Sequence, residues 1–203
     1  MSQVQLVLFD IGGVLVNWHD VWLYHVVSEN FGIQEKTLTN ECEKEIVNLH
    51  TGKMPENEFW RKIGKKINSL ELQNVKKSLI YGTFKDKAKP NNAILKMVKK
   101  IQKNKIKVGV LSNLEKTTHA ILEEFGLLDI FEFQFYSHKI GFAKPDKRIF
   151  RYVLNNVSFE SCNILFIDDK ISNVHVANSI GIKSIKYTNA KKLELDLKRH
   201  KIL

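Results

Sequence analysis

Four short polar segments of this chain carry side chains that could do chemistry together. In chain order they are Asp10-Ile11-Gly12-Gly13, Ser112-Asn113, Lys144-Pro145-Asp146 and Asp168-Asp169. The carboxylates could act as a nucleophile or hold a divalent cation, the hydroxyl could bind an anion, and the lysine could neutralise negative charge. Glycines after Asp10 would let backbone N–H groups approach an anion closely. Together these groups suit cation-assisted phosphoryl transfer.

Each segment also has an ordinary structural interpretation. Asp10 could make an Asx-type turn after a strand, and Ser112 to Glu115 fits a capping box. Lys144 could be solvated, and Asp169 could cap the next helix. A cap accounts for only one of the two adjacent acids, because neighbouring carboxylates repel each other unless a cation lies between them.

The stretches between these segments predict alternating strands and helices. Strands are predicted at Val4 to Phe9, Ile106 to Leu111, Phe133 to Tyr136, Asn163 to Ile167 and Lys183 to Lys186. Helices are predicted at Asn92 to Gln102, Glu115 to Phe125, Asp146 to Asn155 and Ile171 to Ile180. This alternation indicates an α/β fold with a parallel sheet covered on both faces. All of the polar segments would lie near the carboxyl ends of the strands, where such folds bind ligands.

Residues 17–88 break the alternation. They hold successive amphipathic segments without a convincing strand, at Val21 to Phe31, Thr39 to Leu49, Glu56 to Ile67 and Leu70 to Tyr81. We therefore predict an α/β core from residues 1–16 and 89–203, with residues 17–88 as a helical insertion. Within the insertion, Gly52 to Pro55 is either a specificity loop or a plain helix–helix turn. Trp18, Trp22 and Trp60 either line a cleft or pack in the core.

The order of the motifs resembles the haloacid dehalogenase superfamily. The matching segments are Phe9-Asp10-Ile11-Gly12-Gly13-Val14, Leu111-Ser112-Asn113, Lys144-Pro145-Asp146 and Phe166-Ile167-Asp168-Asp169. The resemblance spans nearly the whole chain and implies a Rossmann-like sheet with an inserted helical cap of the C1 type. Residues 141–150 and 180–182 are further similar to the branch that contains bacterial α-D-glucose-1-phosphate phosphatase.

The resemblance implies a magnesium-dependent phosphatase. Asp10 would attack phosphorus and form an aspartyl-phosphate, which water then hydrolyses. Mg²⁺ would be held by Asp10, the Gly12 carbonyl and Asp168, with Asp169 orienting a metal-bound water.

The other two motifs would bind the phosphate and neutralise its charge. Ser112 and the Asn113 N–H would hold phosphate oxygens, and Lys144 would neutralise charge around Asp10 and the transferring group. The expected partner is a small phosphorylated metabolite, with a sugar phosphate favoured.

Position 12 departs from the usual pattern of the superfamily. Most of its phosphatases carry a second Asp there as general acid, whereas this chain has Gly12. General acid catalysis contributes about 10²–10⁴-fold, so the leaving group must be good or another residue must donate the proton. An anomeric leaving oxygen would fit, and His19 or Asp20 could substitute. The branch noted above also has Gly at this position.

Two alternatives remain open from the sequence. In a 2-haloacid dehalogenase, Asp10 would attack carbon without a metal, but such an enzyme would not need the paired acids as a cation site. A non-catalytic or weakly active phosphate-binding protein would explain the missing general acid, but the remaining motif residues are intact.

The amino-acid composition limits which other classes of protein the chain could belong to. The chain has 203 residues and a formal charge of +10, with only four arginines among its 32 basic residues. The scattered lysines indicate a solvated surface and argue against nucleic-acid binding. No targeting or membrane-spanning segment is visible, and Cys42 and Cys162 fit reduced thiols in the cytoplasm. We expect a monomer or weak dimer.

Overall fold

Strands and helices alternate along most of the chain in the computed structural model, which describes residues 3–203. The strands are β1 (Leu6–Phe9), β2 (Val16–Asn17), β3 (Lys89–Pro90), β4 (Lys107–Ser112), β5 (Phe133–Tyr136), β6 (Ile164–Asp168) and β7 (Lys183–Lys186). The helices are α1 (Asp20–Phe31), α2 (Glu35–His50), α3 (Glu56–Lys66), α4 (Leu70–Gln73), α5 (Leu79–Lys87), α6 (Asn92–Lys103), α7 (Lys116–Glu124), α8 (Ser137–Ile140), α9 (Lys147–Asn155), α10 (Ile171–Asn178) and α11 (Ala190–Arg199). A 3₁₀ turn at Ser161–Asn163 precedes β6.

The central sheet is parallel throughout, in the order β5-β4-β1-β6-β7. Every residue of β1 and β6 is buried, as expected where helices cover both faces. Successive residues of β1 point to opposite faces: Val7 and Phe9 enter one hydrophobic core, and Leu6 and Leu8 enter the other. The predicted α/β fold with a parallel sheet is confirmed.

The carboxyl ends of the three middle strands bring the polar motifs together. Asp10 follows β1, Ser112 ends β4 and Asp168 ends β6. Because β1 lies between β4 and β6, the nucleophile candidate stands between the other two motifs. This edge of the sheet is where open α/β folds bind ligands.

Five helices, α1 to α5, lie between two very short antiparallel strands. Val16 on β2 pairs with Pro90 on β3, and Asn17 pairs with Lys89. The Asn91 side chain also donates to the Val14 carbonyl at 3.0 Å, so the chain leaves and re-enters the sheet region through adjacent segments. The division into two domains stays a prediction.

One helix prediction is wrong. Residues 70–81 do not form a single helix: α4 ends at Gln73, and α5 starts at Leu79. Ser69 caps α4, whereas the Ser78 hydroxyl accepts from the Tyr81 N–H at 2.9 Å and starts a new helix.

Helix α11 was not predicted, although Asn189 caps it and Leu193 and Leu197 are spaced for one buried face. Among residues 3–203, no helix has the length and apolar character required to cross a membrane.

Gly109 allows the middle strands to pack closely. A Cβ at this position would lie 2.6 Å from the Phe133 carbonyl oxygen and 2.9 Å from Leu8 Cδ2. We expect Gly109→Ala to lower the free energy of unfolding by about 1–3 kcal/mol through overpacking. Gly82→Ala, on the exposed side of α5 with nothing within 4 Å, should instead raise it by about 0.5–1 kcal/mol. Urea unfolding of both variants measures this, and equal effects would contradict it.

Candidate active site

Asp10 lies in the wall of a cavity of about 400 Å³. Its Oδ1 accepts from the Ile11 N–H at 2.7 Å and the Ser112 hydroxyl at 2.7 Å, and it contacts Lys144 Nζ at 2.9 Å. None of the hydrogen bonds made by residues 3–203 uses its other oxygen, Oδ2. The carboxylate is therefore held by one oxygen while the other remains available for attack or for a metal.

Lys144 connects the first and fourth motifs. Its Nζ lies 2.9 Å from Asp10 Oδ1, 2.7 Å from Asp168 Oδ2 and 2.9 Å from the Leu111 carbonyl oxygen. These three acceptors match the three N–H groups of the ammonium. The side chain is only 1% exposed, so the interpretation of Lys144 as a solvated lysine is wrong.

Asn113 fixes the backbone that carries this lysine. Its side-chain amide donates to the Lys144 carbonyl at 2.8 Å and accepts from the Lys144 N–H at 2.8 Å. Thus the second motif holds the third in position through a side chain. Ser112 is buried and donates to Asp10 instead of capping a helix.

Asp168 accepts hydrogen bonds on both of its carboxylate oxygens. Asn173 donates to both of its oxygens at 2.9 Å, the Lys170 N–H reaches Oδ1 at 2.7 Å, and Lys144 contacts Oδ2. Asp169 differs, because its Oδ1 is buried and has no hydrogen-bond partner among the described residues. Asp169 does not cap α10, which begins after Lys170 without a side-chain cap. The capping interpretation of Asp169 is therefore wrong.

The turn after Asp10 leaves the carbonyl oxygen of Gly12, a cavity residue, without a hydrogen bond from the described residues. Hydrogen bonds from Gly13 to Val16 and from Val16 to Ile11 close the turn without using the Gly12 carbonyl. Gly13 has φ +74°, and a Cβ there would lie 2.5 Å from Asp169 Oδ2. Gly12 has no such restriction, since its nearest neighbour would be the Trp18 carbonyl oxygen at 3.5 Å. The backbone therefore does not dictate the absence of an acid at position 12.

The three aspartates and the lysine set the electrostatics of the site. Burial raises the pKa of Asp10, Lys144 opposes that shift, and Asp168 adds to it. Burial also acts on Asp168, but Lys144 and the hydrogen bonds to the carboxylate hold its pKa below the ordinary value. Burial and the charge of Asp168 raise the pKa of Asp169. One lysine thus leaves part of the negative charge without a counter-charge.

These residues fit a hard divalent cation. Carboxylate oxygens of Asp10, Asp168 and Asp169 lie within 4.8 Å of one another. The site also offers the unpartnered Oδ1 of Asp169 and the unused Gly12 carbonyl, all of them oxygen donors of the kind that Mg²⁺ prefers.

Of the other residues named from the sequence, some line the cavity and others are buried in the core. Trp18, His19 and Asp20 line the cavity. Trp60 is fully buried elsewhere, and Trp22 packs against Trp18 outside the lining. No residue from Gly52 to Pro55 lines the cavity; this segment is a turn between α2 and α3, and Gly52 lies against the His138 backbone. The interpretation of this segment as a specificity loop is wrong.

Several cavity residues were missed in the sequence, among them His50 and Glu115. His50 is the last residue of α2, and Glu115 caps α7 by accepting from the Thr118 N–H at 2.9 Å. The capping box predicted from Ser112 to Glu115 is wrong, because the acid itself is the cap. A histidine ending an amphipathic helix is too common a pattern to mark a site, and only the fold brings His50 to the cavity.

The chain belongs to the haloacid dehalogenase-like hydrolase family, whose family model matches residues 7–187. The superfamily predicted from the motifs is thereby confirmed, and the chain is an enzyme of this hydrolase type. The branch that contains glucose-1-phosphate phosphatase stays a prediction.

Several known proteins resemble the chain over most of its length. It is 24% identical to the sesquiterpene phosphatase astK of Aspergillus oryzae over 187 residues, covering 90% of this chain and 89% of that protein. It is 23% identical to the phosphorylated carbohydrates phosphatase of Thermotoga maritima over 191 residues, covering 90% and 84%. Drimenol cyclase drtB of Aspergillus calidoustus is 27% identical over 189 residues, which are 91% of this chain but only 34% of that protein.

A solved structure has the same fold. The haloacid dehalogenase family enzyme bt-2542 of Bacteroides thetaiotaomicron, in complex with magnesium and inorganic phosphate, superposes with a TM-score of 0.72 at 20% identity. The match covers 91% of this chain and 94% of that one.

Proposed function

We propose that the protein is a magnesium-dependent phosphomonoester hydrolase that uses Asp10 as its nucleophile. The observation that carries this proposal is the pair of oxygens on Asp10. Oδ1 is held by Ile11, Ser112 and Lys144, and Oδ2 is unused by the described residues at the wall of the cavity. A carboxylate held in this way is positioned before it reacts.

The reaction takes place in two steps on Asp10. Oδ2 attacks phosphorus, the phosphorus–oxygen bond to the leaving group breaks, and an aspartyl-phosphate forms. The departing oxygen takes its proton from His19 or Asp20, which line the cavity, or from water, because Gly12 supplies no acid. Water then hydrolyses this intermediate, which releases phosphate and restores the carboxylate.

Lys144 neutralises charge on Asp10 and the transferring group, and the Asn113 N–H binds a phosphate oxygen. Ser112 binds another phosphate oxygen when its hydroxyl turns from Asp10 Oδ1 toward the ligand.

Asp10, the Gly12 carbonyl and Asp168 would hold Mg²⁺, and Asp169 would orient a water beside it. When bound, the ion supplies positive charge that offsets the negative charge of the phosphoryl oxygens. Asp169 Oδ1 is buried without a partner among the described residues, so nearby positive charge would offset the cost of burying it.

We take the substrate to be a small phosphorylated metabolite, with a sugar phosphate as the first choice. The cavity combines aromatic residues with carboxylates, a lining that suits a polyhydroxyl ligand. Two of the similar proteins are named as phosphatases, of a sesquiterpene and of phosphorylated carbohydrates, and the magnesium–phosphate complex of bt-2542 supports the cofactor. The cytoplasm stays our proposed location, on the sequence argument that two widely separated cysteines fit reduced thiols. A monomer or weak dimer also stays a prediction.

A phosphate-release screen of sugar phosphates and nucleotides, with and without Mg²⁺, tests the function. We expect release from at least one sugar phosphate in Mg²⁺, and at least about a hundredfold loss in EDTA because the acidic site then lacks its cation. Tight Mg²⁺-dependent binding without release would instead identify a non-catalytic protein that lost turnover with the acid at position 12. Chloride release from a 2-haloacid that EDTA does not affect would identify a dehalogenase.

A further inference from the structure

We propose that Asp20, His50 and Glu115 form the subsite for the leaving group and select a singly phosphorylated, hydroxyl-rich alcohol. The proposal rests on the phosphatase activity proposed above and adds the residues that choose among its substrates.

Three separate elements bring these side chains together. Asp20 begins α1, His50 ends α2 and Glu115 precedes α7, and all three line the cavity that contains Asp10. His50 Nε2 lies 3.8 Å from Glu115 Oε2 and 4.0 Å from Asp20 Oδ2. These distances allow electrostatic attraction but exceed a hydrogen bond. The polar atoms are therefore near one another without satisfying one another.

A buried serine positions this cluster. Ser137 has no exposed surface; its hydroxyl donates to the His50 carbonyl at 2.5 Å and accepts from the Leu114 N–H at 3.0 Å. The end of α2 is thus tied to the segment just before Glu115. Glu115 Oε1 is used by Thr118, which leaves Oε2 facing His50. A subsite held by the backbone in this way does not need to be ordered by the ligand.

Hydrogen-bonding capacity in the cluster is unused. His50 and Glu115 are only 8% and 7% exposed. Among the described residues, no hydrogen bond is made by the His50 ring, Glu115 Oε2 or the Asp20 carboxylate. Polar groups shielded from bulk water are costly unless they are paired. A ligand with several hydroxyl groups supplies donors to the carboxylates and an acceptor to the imidazole.

The charge of the cavity wall excludes a second phosphate. Residues 17–88 contain ten lysines and one arginine, yet none of them lines the cavity. The charged side chains that this segment does contribute are Asp20 and Glu43, and Glu115 lies opposite. A second phosphate beside these acids would meet like charge. The two lysines that do line the cavity, Lys144 and Lys170, both donate hydrogen bonds to Asp168 and do not belong to residues 17–88.

The same wall disfavours a purely hydrocarbon leaving group. Trp18, Tyr24 and Phe84 would contact apolar C–H surfaces, but a prenyl chain would also cover the carboxylates and the imidazole without pairing them. A sugar satisfies both halves of the wall, because its C–H face can pack on the aromatic rings while its hydroxyls reach the polar cluster.

Steady-state kinetics with four probes test the proposal: a hexose monophosphate, the matching bisphosphate, farnesyl monophosphate and p-nitrophenyl phosphate. We expect the wild-type kcat/KM for the monophosphate to exceed that for the bisphosphate and for farnesyl monophosphate by at least about tenfold. In Glu115→Gln and in Asp20→Asn, the ratio of kcat/KM for hexose monophosphate to that for p-nitrophenyl phosphate should fall about tenfold. Glu115→Gln keeps an oxygen for the α7 cap, and Glu29→Gln, exposed on α1, is the matched control.

Charge reversal at the exposed residue Glu43 gives an independent readout. Glu43→Lys should raise the bisphosphate-to-monophosphate ratio of kcat/KM several-fold, because it places a cation in the lining. A wild-type preference for bisphosphate or farnesyl monophosphate would overturn the proposal, as would unchanged ratios in the Glu115 and Asp20 variants.

Failure of the proposed phosphatase function can be distinguished from failure of the proposed subsite. If the wild-type chain releases phosphate from no probe, the function proposed above is wrong, and calorimetric titration of the Asp10→Asn protein with hexose monophosphate in Mg²⁺ still decides the subsite. Weaker binding after adding Glu115→Gln supports the subsite, and equal binding overturns it.

Discussion

The Asp10→Asn protein should fold normally and lose at least about 10⁴-fold in the rate of phosphate release. An amide oxygen is a poor nucleophile, so the aspartyl-phosphate cannot form at a useful rate. Asn can still accept the hydrogen bonds that Ile11 and Ser112 donate to Oδ1. The substitution removes one of three clustered negative charges but also one of the two ion-pair partners of Lys144, which keeps Asp168. The two effects oppose each other, so the free energy of unfolding should change less than in Lys144→Met.

Phosphate release and urea unfolding should be measured on the same preparation. Asp129→Asn, an exposed site beyond α7, is the matched control and should retain the wild-type rate. Rapid quenching of the wild-type reaction should trap an acid-stable, base-labile phosphoryl adduct that is absent from Asp10→Asn. A variant rate close to wild type would show that Asp10 is not the nucleophile.

Lys144→Met should lower both activity and stability. In the wild-type chain the ammonium lies between Asp10 and Asp168 and also donates to the Leu111 carbonyl. Methionine fills a similar volume but leaves two buried carboxylates facing each other without a counter-charge. Breaking a buried ion pair in this way costs about 3–5 kcal/mol, and we expect a loss of that size in urea unfolding with EDTA present.

Magnesium provides a further check on this variant. A divalent cation bound to the same acids should restore part of the lost stability, so millimolar Mg²⁺ should stabilise Lys144→Met more than it stabilises the wild type. Lys147→Met, exposed on α9, is the matched control and should change the free energy of unfolding by less than about 0.5 kcal/mol. An equally small change in Lys144→Met would contradict the central role of the buried ammonium.

Local sequence signals determined the sheet and the ends of its strands. Buried runs such as Leu6–Phe9 and Ile164–Asp168 are apolar because both faces of a parallel sheet are covered, and this rule needs no knowledge of the neighbouring strands. Three of the four polar motifs follow or end such a run, whereas Lys144 comes after the short helix α8. Since parallel strands finish at one edge, the sequence could predict that Asp10, Ser112 and Asp168 would be neighbours.

The tertiary structure alone decided how the side chains are used. Glu115 and Ser112 fit a capping box as a sequence, but Ser112 donates to Asp10 across 102 positions of the chain, and Glu115 becomes the cap. His50 reaches the cavity because Ser137 ties the end of α2 to the segment before α7. A side chain's hydrogen bonds depend on which partners the fold brings within about 3 Å. Pairings between distant segments leave no periodic trace in the sequence, so they can be known only once the helices are packed against the sheet.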